Sequence, residues 1–248
     1  MTSPPRFEHR PSPNHGERVN GGPIDMIVLH YTGMPEAERA LRWLCDPESA
    51  VSCHYFVFED GRIAQLVDEE RRAWHAGTSF WAGETDINSR SIGIEISNPG
   101  HEFGYVPFPD VQVDAVIALC RDILTRHVIP PPRILAHCDV APLRKADPGE
   151  LFPWDRLHRA GIGTWLSPEA ADRGPVLQIG DAGAAVEDLK RRLNAYGYGV
   201  EPGPEFTAQT AAVVTAFQRH FRPAQVDGVA DPSVRKTLDR LLGEMRRE

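Results

Sequence analysis

Met26-Ile-Val-Leu-His30 is an unbroken apolar run that stops on an imidazole, and Ser91-Ile-Gly-Ile-Glu-Ile-Ser97 is a second run with a carboxylate set inside it. Short apolar runs bounded by turn residues, here Gly21-Gly-Pro-Ile-Asp25 before the first, read as buried strands. Further strand candidates lie at 54–59, 62–67 and 133–137, and the first run extends over 24–30. A helix is expected over 110–128, where Val113, Val116, Ile117, Cys120 and Leu124 form one apolar stripe and Pro130-Pro-Pro132 ends it. Strands mixed with helices in this way predict an α/β fold, a mixed central sheet flanked by helices.

The chemistry sits at the ends of these runs. His137-Cys-Asp-Val-Ala-Pro-Leu-Arg-Lys-Ala-Asp147-Pro-Gly149 places an imidazole, an ammonium and a carboxylate on one segment. A separation of ten positions between His137 and Asp147 is too long for one helical face and suits a strand end followed by a loop that folds back. A nitrogen and a carboxylate ligand suit zinc, whose catalytic sites take three protein ligands and keep a fourth position for water. His30, at a strand end that opens into a loop, is the best-placed third ligand, with His54 and His75 as alternatives. Glu95 has no cation beside it in sequence. It either faces solvent on the polar side of the pleat or lines a cleft with a raised pKa, as a proton shuttle would.

Ile27-Val-Leu-His-Tyr31, Ser52-Cys-His-Tyr55 with Asp60-Gly61 after it, Trp74-His-Ala-Gly77, Ser91-Ile-Gly-Ile-Glu95 and His137 to Gly149 follow one another in an order and spacing that resembles the type-2 N-acetylmuramoyl-L-alanine amidases. The resemblance runs from about Ile24 to Trp154. It implies one Zn²⁺ per chain, held by His30, His137 and Asp147, with Glu95 as catalytic acid/base and Lys145 as stabiliser of the transition state. It also implies a reaction: cleavage of the amide between muramic acid and the stem peptide of peptidoglycan or muropeptides. Each residue alone has an ordinary structural reading. A strand-end His is commonly hydrogen-bonded, Glu95 could face solvent, Lys145 could be a solvated loop cation, and Asp147 before Pro148 could start a turn. For His54 the expected role is support of a neighbouring strand, and for Trp74-His75-Ala-Gly77 it is cleft wall.

Composition narrows the classes. With 41% hydrophobic and 25% charged residues in 248, the chain is an ordinary globular protein with room for a catalytic core and a small extra domain. A net charge of -8 with scattered Lys and Arg leaves no footprint for nucleic acid, and no apolar run approaches a bilayer span, so neither nucleic-acid binding nor membrane insertion is expected. Met1 to Asn20 carries no apolar signal core, and the four cysteines show no paired zinc-type or secreted spacing. The expectation is a cytoplasmic protein with reduced thiols, the alternative a periplasmic one. A non-catalytic muropeptide-recognition protein and a metallopeptidase are the competing functions. The full ligand set argues against the first, and the absence of an H-E-x-x-H helix against the second.

After the linker-like 163–175, three amphipathic helices are expected, with faces Val186, Leu189, Leu193; Val213, Phe217, Phe221; and Val234, Leu238, Leu241. Gly180-Asp-Ala-Gly183, Gly197-Tyr198, Phe206-Thr207, Phe217-Gln218 and Asp227-Gly228 make this segment similar to the peptidoglycan-binding domain attached to many wall hydrolases. The expected organisation is an N-terminal extension at 1–23, a zinc amidase domain at 24–162, a linker at 163–175 and a helical peptidoglycan-binding-like domain at 176–248.

Overall fold

The computed structural model describes residues 6–19, 21–170 and 173–246. In chain order the first part comprises β1 (Phe7–His9), β2 (His15–Glu17), β3 (Met26–Tyr31), α1 (Ala37–Leu44), β4 (Tyr55–Val57), β5 (Ile63–Gln65) and β6 (Arg71–Ala73). It continues with α2 (Ile87–Arg90), β7 (Ser91–Ile96), α3 (Asp110–Leu124), β8 (Ile134–Ala136), α4 (His137–Val140) and α5 (Trp154–Arg159). Six strands form a mixed sheet in the order β1-β5-β4-β7-β3-β8, and β2 pairs with β6 apart from it.

β4, β7, β3 and β8 run parallel, so their carboxyl ends share one side of the sheet. Register then sets the site. His30 pairs with Glu95 across β3 and β7, and Leu29 pairs with Ala136 across β3 and β8, which brings His137 level with His30. β3 can be apolar throughout because Met26 to Leu29 are wholly buried between covering layers, as central parallel strands are. α3 supplies one cover through Val113, Val116, Leu119, Cys120 and Ile123. Its buried Gln112 donates to Val57 O (3.2 Å) and Ser97 O (2.8 Å), seating the helix on the ends of β4 and β7. α1 packs Ala40, Leu41 and Leu44 into a second cluster with Phe56, Ala64 and Leu66.

The structure differs from expectation in four places. β1 and β6 are three-residue strands outside the predicted set, as is β2. Residues 7–17, assigned to the N-terminal extension, pair with β5 and β6, and Arg18 donates to the carbonyls of Glu69, Asn88 and Ser91. α1 is also outside the predicted set. Finally, the strand expected over 133–137 stops at Ala136, and a helical turn begins at His137 instead of a loop. Asp139 Oδ2 accepts the Ala136 N–H at 2.8 Å, which satisfies an amide orphaned by the start of that turn.

The C-terminal part is a three-helix bundle of α6 (Ala184–Tyr196), α7 (Ala208–Phe221) and α8 (Pro232–Met245). Thr207 caps α7 and Asp231 caps α8, the latter with proline at the first helical position. The nine predicted face residues are all buried, and one apolar cluster runs from this bundle into the sheet domain.

A half-buried ion-pair cluster ties the segment just after α3 to the sheet. Glu69 accepts from the Tyr55 hydroxyl (2.7 Å), from Arg126 (2.8 and 3.1 Å) and from His127 Nε2 (2.7 Å). Burial opposes its ionisation, but Arg126, Tyr55 and His127 hold its carboxyl down at about 2. Its folded pKa therefore lies below the unfolded value, so its contribution is fully present above roughly pH 4.5 and fades as pH falls toward 2. Glu69→Gln is expected to cost about 2 kcal/mol at pH 7 in guanidinium unfolding, with the difference from wild type shrinking across that acid window.

Candidate active site

Three acceptor atoms converge where β3 and β8 end. His30 Nδ1 lies 2.8 Å from His137 Nδ1, and Asp147 Oδ2 lies 3.2 Å from the first and 3.0 Å from the second. All three side chains are buried. Asp147 reaches the site because Cys138 N donates to Asp147 O at 3.0 Å, folding the loop after α4 back on its own start.

Hydrogen-bond direction shows what this triangle needs. The Ala76 carbonyl can only accept, so His137 Nε2, 3.2 Å away, carries the proton and Nδ1 is bare. On the other side, Ser91 Oγ–H donates to Ile87 O at 2.6 Å and so must accept from His75 Nε2–H at 3.1 Å. His75 Nδ1 is then an acceptor, and it takes the proton of His30 Nε2 at 3.0 Å. His30 Nδ1 is therefore bare as well. Burial, and next the neighbouring His137, pushes His30 down to about 4, so it stays neutral at pH 7. Three lone pairs meeting within 3.2 Å repel one another unless a cation sits among them. The donor set, two imidazole nitrogens and one carboxylate oxygen, fits a zinc ion.

Glu95 lines the cleft beside this group, and its Oε2 is buried with no hydrogen-bond partner. Burial, reinforced by the Asp147 carboxylate and opposed by Lys145, raises its pKa well above the usual range. Lys145 is exposed on the lip of the same cleft. The cleft has a volume of about 490 Å³, with Trp43, Trp74 and Met34 among its lining residues and Arg144 on the segment that carries Lys145. Arg144 is tied to the carbonyls of Ala76 and Thr78, which anchors that segment.

A triad able to hold a metal, with a buried acid in register beside it at the carboxyl ends of parallel strands, is the equipment of a metal-dependent hydrolase. Residues 20–150 match the family described as N-acetylmuramoyl-L-alanine amidase, and residues 182–238 match a putative peptidoglycan binding domain. The N-acetylmuramoyl-L-alanine amidase AmiD of Escherichia coli is 40% identical over 236 residues, 88% of this chain and 82% of that protein. The 1,6-anhydro-N-acetylmuramyl-L-alanine amidase AmpD of Enterobacter cloacae is 31% identical over 167 residues, 60% of this chain and 87% of its own. Among solved structures, Escherichia coli AmiD in complex with anhydro-N-acetylmuramic acid-L-Ala-D-gamma-Glu-L-Lys superposes with a TM-score of 0.79 at 36% identity, covering 94% of each chain. AmpDh3 of Pseudomonas aeruginosa superposes at 0.74 with 29% identity over 100% of both chains. The chain belongs to the N-acetylmuramoyl-L-alanine amidase family.

The structure thus brings His30, His137 and Asp147 together and puts Glu95 and Lys145 on the same cleft. His54 turns onto the backbone of β7, where Gly93 N donates to its Nδ1 at 2.9 Å. His75 lines the cleft, as expected, but its bond to His30 lies outside the cleft-wall reading. Gly93 is the signal that goes with it: a Cβ there would lie 2.4 Å from the His75 ring, so only glycine lets the ring rest on β7. Gly93→Ala should displace His75, cost about 1–3 kcal/mol in chemical denaturation, and lower amidase turnover by at least an order of magnitude. A variant with wild-type turnover would show that His75 orients nothing.

Proposed function

We propose that this chain is a zinc-dependent amidase that cuts between N-acetylmuramic acid and L-alanine, with soluble anhydro-muropeptides as its preferred substrates. The observation that carries the reading is the meeting of three bare acceptor atoms within 3.2 Å at the floor of an open cleft. The anhydro preference is supported by AmiD, solved with an anhydro-muramyl peptide, and by AmpDh3, solved with an anhydromuramic pentapeptide. The four free cysteines, three of them buried, favour action in a reducing cytoplasm.

His30, His137 and Asp147 would hold the zinc ion. When bound there, it supplies Lewis acidity, lowering the pKa of a water toward roughly 7 and polarising the scissile carbonyl. Glu95, with a raised pKa and an unpartnered Oε2, accepts the proton of the attacking water. It returns that proton to the departing amine nitrogen. Lys145 faces the carbonyl oxygen as it gains negative charge, so its ammonium serves as an oxyanion donor.

Purified sacculi and soluble anhydro-muropeptides, digested side by side with products weighed by mass spectrometry, test this. Intact sugar and free stem peptide are expected, faster from the soluble substrate, and a chelator should abolish both. Cleavage inside the peptide, or chelator-resistant turnover, would refute the proposal. Glu95→Ala is expected to abolish product. Lys145→Ala should lose on the order of a hundredfold in kcat, less than removal of either histidine that would hold the zinc, because a bound ion would polarise the same oxygen.

A further inference from the structure

The turn that starts with His137 is held from the far end of the chain. Asp139, the third residue of α4, is fully buried. Its Oδ2 accepts from Ala136 N (2.8 Å) and from His220 Nδ1 (2.8 Å), and its Oδ1 accepts from the Tyr198 hydroxyl (2.7 Å). A carboxylate at such depth persists only where donors replace its water, and two of its three donors belong to the C-terminal bundle.

Those two donors are themselves rigidly seated. The His220 ring is stacked on Trp154 of the sheet domain, centroids 3.8 Å apart, and on Phe221 on its own helix at 4.1 Å. Tyr198 packs edge-on to Trp81 at 4.9 Å. Gly197 lies so close to Trp81 that a Cβ would come within 2.6 Å of the indole, and Ala82 N donates to Gly197 O at 2.8 Å. The bundle therefore meets the sheet domain through fixed polar and aromatic contacts centred on one carboxylate.

A helix of four residues has no stability of its own. Whatever holds Asp139 holds the turn, and the turn carries two parts of the triad: His137 is its first residue, and Cys138 N fastens the backbone of Asp147. We propose that the C-terminal bundle is a working part of the amidase centre, in which Tyr198 and His220 are positioning residues that clamp Asp139 and so fix His137 and Asp147. The proposal rests on the zinc reading above.

The test uses the full chain and the metal alone. Tyr198→Phe/His220→Phe keeps both rings in their stacks and removes both donors to Asp139. Zinc affinity, measured by competition with a chromophoric chelator, should fall about tenfold or more. The visible absorption of the cobalt-loaded protein should change with it, reporting altered ligand geometry. Leu238→Ala in the bundle core, on α8, which gives no hydrogen bond to Asp139, should lower the unfolding temperature but leave both readouts unchanged. If the double variant does not fold, Tyr198→Phe alone is expected to show the same changes at smaller size. Equal affinity and spectra in wild type and clamp variants would overturn the clamp, as would an equal loss in Leu238→Ala. A wild-type chain that takes up no zinc would instead overturn the metal reading.

Discussion

Two backbone carbonyls decide the state of the metal-capable triad. Ala76 O requires the proton of His137 on Nε2, and Ile87 O, acting through Ser91 and His75, requires the proton of His30 on Nε2. With both protons directed outward, the inner nitrogens have only lone pairs to offer each other and Asp147. The nearby architecture follows from that demand. α2 ends where β7 begins, so that Ser91 can reach Ile87 O, and β7 carries glycine at position 93, so that the His75 ring can lie against it. A sheet that placed His30 and His137 equally well without this proton order would present two interchangeable tautomers and a weaker ligand field.

Glu95 shows the other side of the same economy of groups. A buried carboxyl oxygen without a partner typically costs 1–3 kcal/mol, and the fold carries it beside a triad that already concentrates negative charge. Structural carboxylates in this molecule are treated differently: Glu69 receives a tyrosine, an arginine and a histidine, and Asp139 receives three donors. The contrast separates function from support. On the proposed mechanism, the carboxyl oxygen left without a partner is the one that meets the reacting groups, whereas the carboxylates that hold the fold are each given several donors.

Much of this was legible in the sequence because the decisive strands are apolar. Met26 to His30 and Ser91 to Ser97 announce themselves by composition, and of the residues that break the pattern, His30 joins the metal-capable triad and Glu95 lines the cleft. β1, β2 and β6 gave no such signal. Phe-Glu-His, His-Gly-Glu and Arg-Arg-Ala are short, polar and half exposed, and only their partners make them strands. α1 was likewise not read from the sequence, and its eight residues between two loops are stabilised by packing on Phe56 and Leu66 more than by propensity. The supports of the site were the least legible. His75 matters through Ser91 and His30, and Asp139 through residues 198 and 220, so their roles exist only once the chain has closed.

That last dependence bears on how an appended wall-binding domain can serve an enzyme. A domain on a loose linker raises local substrate concentration and leaves orientation free, because many approach angles remain open. Here the bundle shares an apolar cluster with the sheet domain, and its Tyr198 and His220 close the surroundings of a residue two positions from His137. Docking of this kind trades reach for a fixed angle between bundle and cleft. It also means that the two domains cannot be separated without unburying the Asp139 carboxylate, a charge that the isolated sheet domain would have to solvate by moving α4. The bundle and the sheet domain therefore share their packing and hydrogen bonds at the turn that carries His137, even though they match two families in sequence.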